Sequence, residues 1–542
     1  MSENHRRQGL IIAASVLAIY ALIPTRDFYW DGVSFAHAIE DAPGTPADLF
    51  FPNHLIYNIT GYLVWRSLAA AGLHLRALFV LQAMDAVFAA AAVYLVWDLI
   101  QKMTGSTVRA GCGALLFAFS AQWWKFSSDA DAYIPSIFFL LASFRWIMAS
   151  PRPRPLVAGL AHSVAMLFHQ LAFLFIPVAA LGLMLRGNRP GAGKRTWLGD
   201  VVKYGAMAGS LTGAAYWAAF QSARPFIGAS RFIDWISVHS SDANIALAWY
   251  ERLRYCMRGT FRLFFGGRVN RIDPDAMALA GFIASMLVAA AALWILRRRK
   301  DNEPDHQHHP HTPGALPAAF VTLSAWILVY VIFLFFWLPQ NVFYRMFYLP
   351  PIIFMLAWLP QWNTRRMWFA VIPAAVVFVW NFNMLIYPSA QIKTNEVLSF
   401  ALRRGNEWSP GTVILYGRSH TDLWLISYFN PQVQWIPLSY ITVDEVETRR
   451  MNAVRGGTVW LEGMAADALA QAPGGQEWRA LHIDELASRV HITAAHNIRY
   501  YRIRQAHSGH PLLYSKVFWN GPGDSQLISA QLFIGRRAPG NA

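Results

Sequence analysis

Residues 1–24 read MSENHRRQGLIIAASVLAIYALIP. Arg6 and Arg7 precede an uncharged run from Leu10 to Pro24. A secretory leader begins in the same way, but no small-x-small cleavage site follows. The stretch therefore reads as a retained first span with Arg6 and Arg7 in the cytoplasm. That reading sets the orientation of everything downstream.

The rest of the chain has the composition such a start requires. Of 542 residues, 14% are charged and 55% hydrophobic. Soluble domains carry roughly 25% charged residues. An ordinary soluble protein, a disordered chain and a nucleic-acid binder built on a charged face are all excluded. The 36 Phe, 23 Trp and 20 Tyr suit a protein whose rings line membrane interfaces. Two cysteines, Cys112 and Cys256, cannot make a disulfide framework.

Further apolar runs lie at 76–100, 110–125, 133–149, 156–186, 199–220, 276–297, 316–338, 346–360 and 367–387. Basic clusters separate some of them: Lys102/Arg109, Arg152/Arg154, Arg189/Lys194/Arg195, Arg297–Lys300 and Arg365/Arg366. If all are cytoplasmic, an even number of spans must separate any two clusters. Parity decides two ambiguous segments. Residues 53–73 carry Arg66 mid-run and read as an amphipathic helix on the outer surface. Residues 156–186 read as a tight hairpin with its outer tip near His169. The outcome is a mainly α polytopic bundle of about eleven spans. Its N-terminus is inside and its tail outside, in a plasma membrane of bacterial type. The His-rich stretch 305–311 reads as a cytoplasmic linker.

Residues 388–542 differ from the membrane module at 1–387. Short strand-like runs at 412–416, 433–436, 458–461 and 500–503 alternate with helix-like stretches. They predict a small extracytoplasmic α/β domain. It has no glycine-rich nucleotide turn.

On this topology, ionisable residues from separate segments meet at one membrane face. The first outer loop holds Asp31 and His54. The second holds Lys125, Asp129, Asp131 and Tyr133. The hairpin tip brings His169, and a later loop brings Arg345. Residues 221–275 hold Arg224, Arg231, Arg252, Arg254, Arg258, Arg262, Arg268 and Arg271. That is many positive charges for an outer loop, and they read as functional. Ionisable groups near a bilayer are costly unless paired or used. Carboxylates beside arginines suit a hydroxyl nucleophile reacting next to a phosphate. Helix capping competes with function at Asp31 and Asp131. Asp129 reads as a solvated neighbour.

The ordered set of motifs carries a resemblance. Phe28-Tyr-Trp-Asp31-Gly32 followed by Phe51-Pro52-Asn53-His54 is similar to the first outer loop of GT-C glycosyltransferases. The branch related to protein O-mannosyltransferases is the nearest in pattern. Ser128-Asp-Ala-Asp131-Ala-Tyr133 resembles that branch's second acidic loop. Phe168-His169-Gln170-Leu171 resembles its hairpin, and Tyr344-Arg345-Met-Phe-Tyr-Leu-Pro350 a later loop. Leu415–Trp424 is similar to a run in its tail.

The resemblance implies an enzyme that moves a sugar from a polyprenyl-phosphate carrier to an acceptor at the outer face, with inversion. Asp31 would then be the base, ionised as an ordinary carboxylate at neutral pH. Asp131 would hold the acceptor or share a divalent cation, Mg²⁺ or Mn²⁺, with Asp31. Arg345, with Arg224 or Arg231, would meet the carrier phosphate. His54, Lys125, Asp129, Tyr133 and His169 complete the expected substrate-binding set. The expected partners are the lipid-linked donor, membrane lipid and an acceptor that is protein, lipid or glycan. No nucleic acid is among them. The alternatives are a lipid-linked oligosaccharide ligase or polymerase, and a flippase or transporter of such intermediates.

Overall fold

The computed structural model describes residues 3–42, 49–187, 197–227, 231–237, 247–267, 315–358, 371–404, 408–417, 421–437, 459–462, 500–504 and 513–514. Several sequence features fall outside them: the apolar run 276–297, the His-rich stretch, Arg268, Arg271, Arg418, and the basic clusters at 189–195, 297–300 and 365–366. The side chain of Arg224 does too. The chain divides into two compact units, Met1–Ala390 and Gln391–Ala542.

The first unit is helical. Its helices are α1 (Glu3–Leu22), α2 (Trp30–Glu40), α3 (Tyr57–Ala70), α4 (Ala77–Thr104), α5 (Thr107–Phe119), α6 (Ala121–Ser127), α7 (Tyr133–Phe144), α8 (Pro155–Phe168), α9 (Ile176–Gly187) and α10 (Trp197–Ile227). Then follow α11 (Phe232–Ile236), α12 (Trp249–Phe264), α13 (Ala315–Phe336), α14 (Leu349–Trp358) and α15 (Val371–Asn381). The last continues through a π-helical turn, Phe382–Ile386, into Tyr387–Ala390.

Helix α4 is the central post. It packs on α1, α2, α3, α5, α7 and α14. Its small residues Ala86, Ala89, Ala92 and Val93 are buried and let neighbours approach closely. It ends at Gly105, whose φ of +69° turns the chain left-handed and returns its N–H to Gln101 O. Near that end Asp98 pairs with Lys102 at 2.6 Å and with Arg145 at 2.7 Å.

Among the described residues, four segments are long and apolar enough to cross a membrane: Ala77–Thr104, Gln170–Gly187, Ala318–Phe336 and Val371–Ala390. Shorter apolar helices lie at Thr107–Phe119, Tyr133–Ala149, Pro155–Phe168 and Phe343–Trp358. The run read at 110–125 breaks at Ser120, where ψ of 138° separates α5 from α6. Helix α3 covers 14 residues, fewer than the roughly 20 a span needs. Leu63 and Val64 on it are exposed while Tyr57 and Gly61 are buried.

Buried polar groups pin the bundle where apolar packing alone would slide. Tyr20 donates to Ala118 O at 2.7 Å, and Tyr330 to Leu171 O at 3.0 Å. Asn381 accepts from Gly266 N–H and donates to Phe119 O and Phe264 O.

Among the described residues the second unit holds five strands: β1 (Val413–Tyr416), β2 (Gln434–Pro437), β3 (Val459–Glu462), β4 (Tyr500–Arg504) and β5 (Leu513–Tyr514). Their order in the sheet is β2-β1-β3-β4-β5. β1 is parallel to β2 and β3, with Ile414 opposite both Trp435 and Trp460. β3–β4 and β4–β5 are antiparallel. Its helices among the described residues are the 3-10 turn Ile392–Thr394, α16 (Glu396–Arg404) and α17 (Thr421–Phe429). β1 is buried at all four residues, as a central parallel strand should be.

Candidate active site

Two segments about a hundred residues apart in sequence build the core of the site. The first is the start of α2. Tyr29 occupies its N-cap position, so Asp31 is not the cap but lies in the first helical turn. The second is the loop Ser128–Ala132 between α6 and α7. They touch at Gly32: a Cβ there would lie 2.5 Å from Ala130 O. The glycine after Asp31 is thus what lets α2 close on the acidic loop.

Asp129 latches the two segments together. It is fully buried, which corrects its reading as a solvated neighbour. Its Oδ2 accepts from Lys125 Nζ at 2.6 Å and from Tyr29 N–H at 3.0 Å, and its Oδ1 from Ala130 N–H at 2.9 Å. Lys125 also donates to Asp27 O. Both residues of this expected binding pair are therefore engaged with protein groups. The hydrophobic surroundings, not water, made this arrangement necessary, because a buried carboxylate must find donors.

Asp131 does two things. Its Oδ1 accepts from Tyr133 N–H at 3.1 Å and so closes the first turn of α7. Its Oδ2 is buried with no hydrogen-bond partner among the described residues. Its own backbone N–H donates to Asp85 Oδ2, which also accepts from Tyr57 OH at 2.8 Å. Asp85, fully buried on α4, has no partner for its Oδ1 among the described residues. The sequence reading passed over Asp85. The available signal was a carboxylate set among apolar residues within the run 76–100.

Asp31 is partly exposed, and no hydrogen bond to its carboxyl is found among the described residues. Its surroundings disfavour charge. Burial and then the neighbouring Asp129 push its pKa up to about 8. This corrects the expectation of an ordinary, fully ionised carboxylate. Asp129 and Asp131 are raised too, chiefly by burial; Lys125 partly offsets this at Asp129, whereas Asp31 adds to it at Asp131.

Aromatic packing draws in the remaining segments. Tyr133 lies 4.6 Å from the His169 ring and 5.3 Å from Phe343, centroid to centroid. His54 lies 4.8 Å from His169. Tyr344 contacts both Tyr133 and His169. His54, Tyr133, His169 and the 343–345 turn therefore do converge. His169 is buried, and burial together with neighbouring His54 holds its pKa well below the usual imidazole range. Its Nδ1 accepts from Leu171 N–H at 3.0 Å, so the neutral ring carries its proton on Nε2.

Arg345 lies in the 3-10 turn Phe343–Tyr348 and is completely buried. Its Nη1 donates to Tyr348 OH at 2.9 Å and its Nη2 to Pro339 O at 2.6 Å. It sits against Gly259 of α12, where a Cβ would approach Nε to 2.2 Å. No carboxylate pairs with it among the described residues. Arg231 is exposed at the start of α11. Among the described residues, no group of three or more His, Cys, Asp or Glu side chains could hold a metal ion.

No family model matches the chain, and no curated protein sequence matches it. Solved structures do resemble it. ArnT from Cupriavidus metallidurans bound to undecaprenyl phosphate is 10% identical and covers 85% of this chain and 94% of its own, with a TM-score of 0.39. The apo form of that protein is 11% identical over 88% of this chain and 95% of its own, with a TM-score of 0.40. At these values the likeness transfers no residue role and no ligand.

Proposed function

We propose that this protein is an integral-membrane glycosyltransferase that moves a sugar from a polyprenyl-phosphate carrier to an acceptor hydroxyl at the outer membrane face, with inversion. In this reading the chain crosses a bacterial plasma membrane about eleven times and carries its second unit outside. One observation supports it most: Asp31, whose carboxyl has no hydrogen bond among the described residues, is clamped through Gly32 and Asp129 against a second acidic loop. These are the two acidic motifs on which the GT-C resemblance rests.

In this reading each residue has a task. Asp31 accepts the acceptor hydroxyl's proton as that oxygen attacks the sugar C1 and the bond to the carrier phosphate breaks. A base works best when its pKa lies near the working pH, and burial moves Asp31 toward that condition. Asp131 offers its unpartnered Oδ2 to the acceptor. Arg345 is, in this reading, the cation that offsets charge on the departing phosphate, and it cannot lose its proton. A buried guanidinium without a carboxylate partner among the described residues is costly, and an anionic substrate group would offset that cost. His54, Tyr133 and His169 form an aromatic wall suited to the face of a sugar ring. If a divalent cation binds, Asp31 and Asp131 are the oxygens that would hold it, and it would neutralise charge on the phosphate.

The test is transfer by purified protein with a radiolabelled polyprenyl-phosphate sugar. Asp31→Asn should lose about 10²- to 10⁴-fold in rate while still binding the donor. Wild-type rates from that variant would remove the mechanism. An accompanying measurement of the lipid-linked species that accumulates when the chain is deleted would identify the sugar.

A further inference from the structure

Helix α12 divides into three faces. At about 100° per residue, Arg252, Cys256, Gly259 and Leu263 fall within one sector of roughly 60°. All four are buried. This face is docked on the protein. Arg252 donates to Phe335 O and Phe336 O, Thr260 bonds Tyr348 OH at 2.9 Å, and Gly259 lies against Arg345.

The second face is apolar and open. Trp249, Leu253, Met257 and Phe261 recur every fourth residue, with Tyr250 beside them. Trp249 is 71% exposed, Met257 67% and Phe261 62%. Such a continuous stripe of large apolar side chains is not left in water by a stable fold. The third face is basic. Arg254 and Arg258 are exposed one turn apart, and Arg262 is partly exposed on the next turn. Arg254 lies over the Tyr255 ring at 5.4 Å. Glu251 accepts from Ala248 N–H at 3.0 Å and closes the first turn of the helix.

We propose that α12 is an in-plane membrane helix whose arginine row binds the headgroups of anionic phospholipids in the leaflet beside it. The order of the faces decides the occupant. An apolar sector sinks into the acyl boundary, and a basic sector beside it then lies at the depth of the lipid phosphates. A protein partner would need to match both sectors at once; an anionic leaflet does so by its nature. The inference does not depend on glycosyl transfer.

A local probe tests it. Met257→Cys in a Cys112→Ser/Cys256→Ala background carries an environment-sensitive fluorophore in the full-length protein, reconstituted in phosphatidylcholine vesicles. Brominated phosphatidylglycerol and brominated phosphatidylcholine are then compared as quenchers. Both should quench, with phosphatidylglycerol effective at about fivefold lower mole fraction for each arginine engaged at low salt. The preference should vanish in Arg254→Gln/Arg258→Gln protein, while quenching itself persists. Equal quenching by both lipids would overturn the headgroup assignment. No quenching would mean that protein covers the stripe. A preference displaced only by added polyprenyl phosphate would assign the arginines to the carrier instead. Because lipid selectivity is read directly, loss of it is distinguishable from loss of transfer.

Discussion

Asp31 is held where its charge is disfavoured, and two consequences follow. The first concerns rate. A base that ionises near pH 8 should give transfer that rises with pH and levels off above that value. In Asp31→Asn the residual rate should lack this rise, and a pH–rate profile checks it. The second concerns stability, and its sign is opposite. Unfolded Asp31 titrates near 3.9. Between that value and about 8 the folded chain keeps a proton that the unfolded chain has lost. Stability therefore falls as pH rises through this window. Asp31→Asn should flatten the fall between pH 5 and 7 by about one proton's worth, measured as unfolding midpoints in detergent. Arg345 supplies a third expectation at this scale. Arg345→Ala should weaken donor binding and slow transfer, and Arg345→Lys should restore it only in part. A lysine keeps the charge but lacks the planar fork whose Nη1 and Nη2 reach Tyr348 OH and Pro339 O separately. Unaltered donor affinity in Arg345→Ala would remove the phosphate role.

At the scale of elements, the site depends on how α2 meets the loop before α7. Gly32→Ala places a methyl group 2.5 Å from a backbone carbonyl, which cannot swing aside as a side chain would. The expected cost is about 1–3 kcal/mol, with transfer impaired although Asp31 is intact. Gly205→Ala in α10 is the control. Nothing lies within 4 Å of the added carbon, so helix propensity should leave stability equal or slightly higher. Thermal unfolding of the two variants side by side separates contact from propensity. Asp129→Ala should be more damaging than a solvated residue would be. It strips Lys125 of its carboxylate and Tyr29 N–H of its acceptor, and removing one member of a buried pair costs about 3–5 kcal/mol.

At the scale of the molecule, the basic clusters make a prediction about sidedness. A reporter fused after Ala542 should be active only if exported. Cytoplasmic activity would overturn the span parity, and with it the reading of α3 as a surface helix. Much of the helical pattern was legible because it is written locally. Apolar runs at 76–100, 316–338 and 199–220 match α4, α13 and α10 closely, since a run of apolar residues declares a buried or lipid-facing helix whatever its neighbours are. The strands near 413, 434, 459 and 500 were legible for the same reason, and only the two-residue β5 gave no signal. The break between α5 and α6 was not read from the sequence, because one serine inside an apolar run is a weak signal, although Ser120 does stand at the N-cap of α6. The candidate site divides in the same way. Sequence alone pointed to Asp31, His54, Asp131, Tyr133, His169 and Arg345 as candidates spread over several segments, because residue type, order and alternation of charge with apolar runs are properties of the chain. Tertiary structure alone decided that Asp129 is a latch, that Asp85 holds Asp131, that Arg345 is buried against Gly259, and that Asp31 resists ionisation. Those facts depend on burial and on distances across a hundred residues or more, and no local pattern encodes how much water a folded chain leaves around a charge.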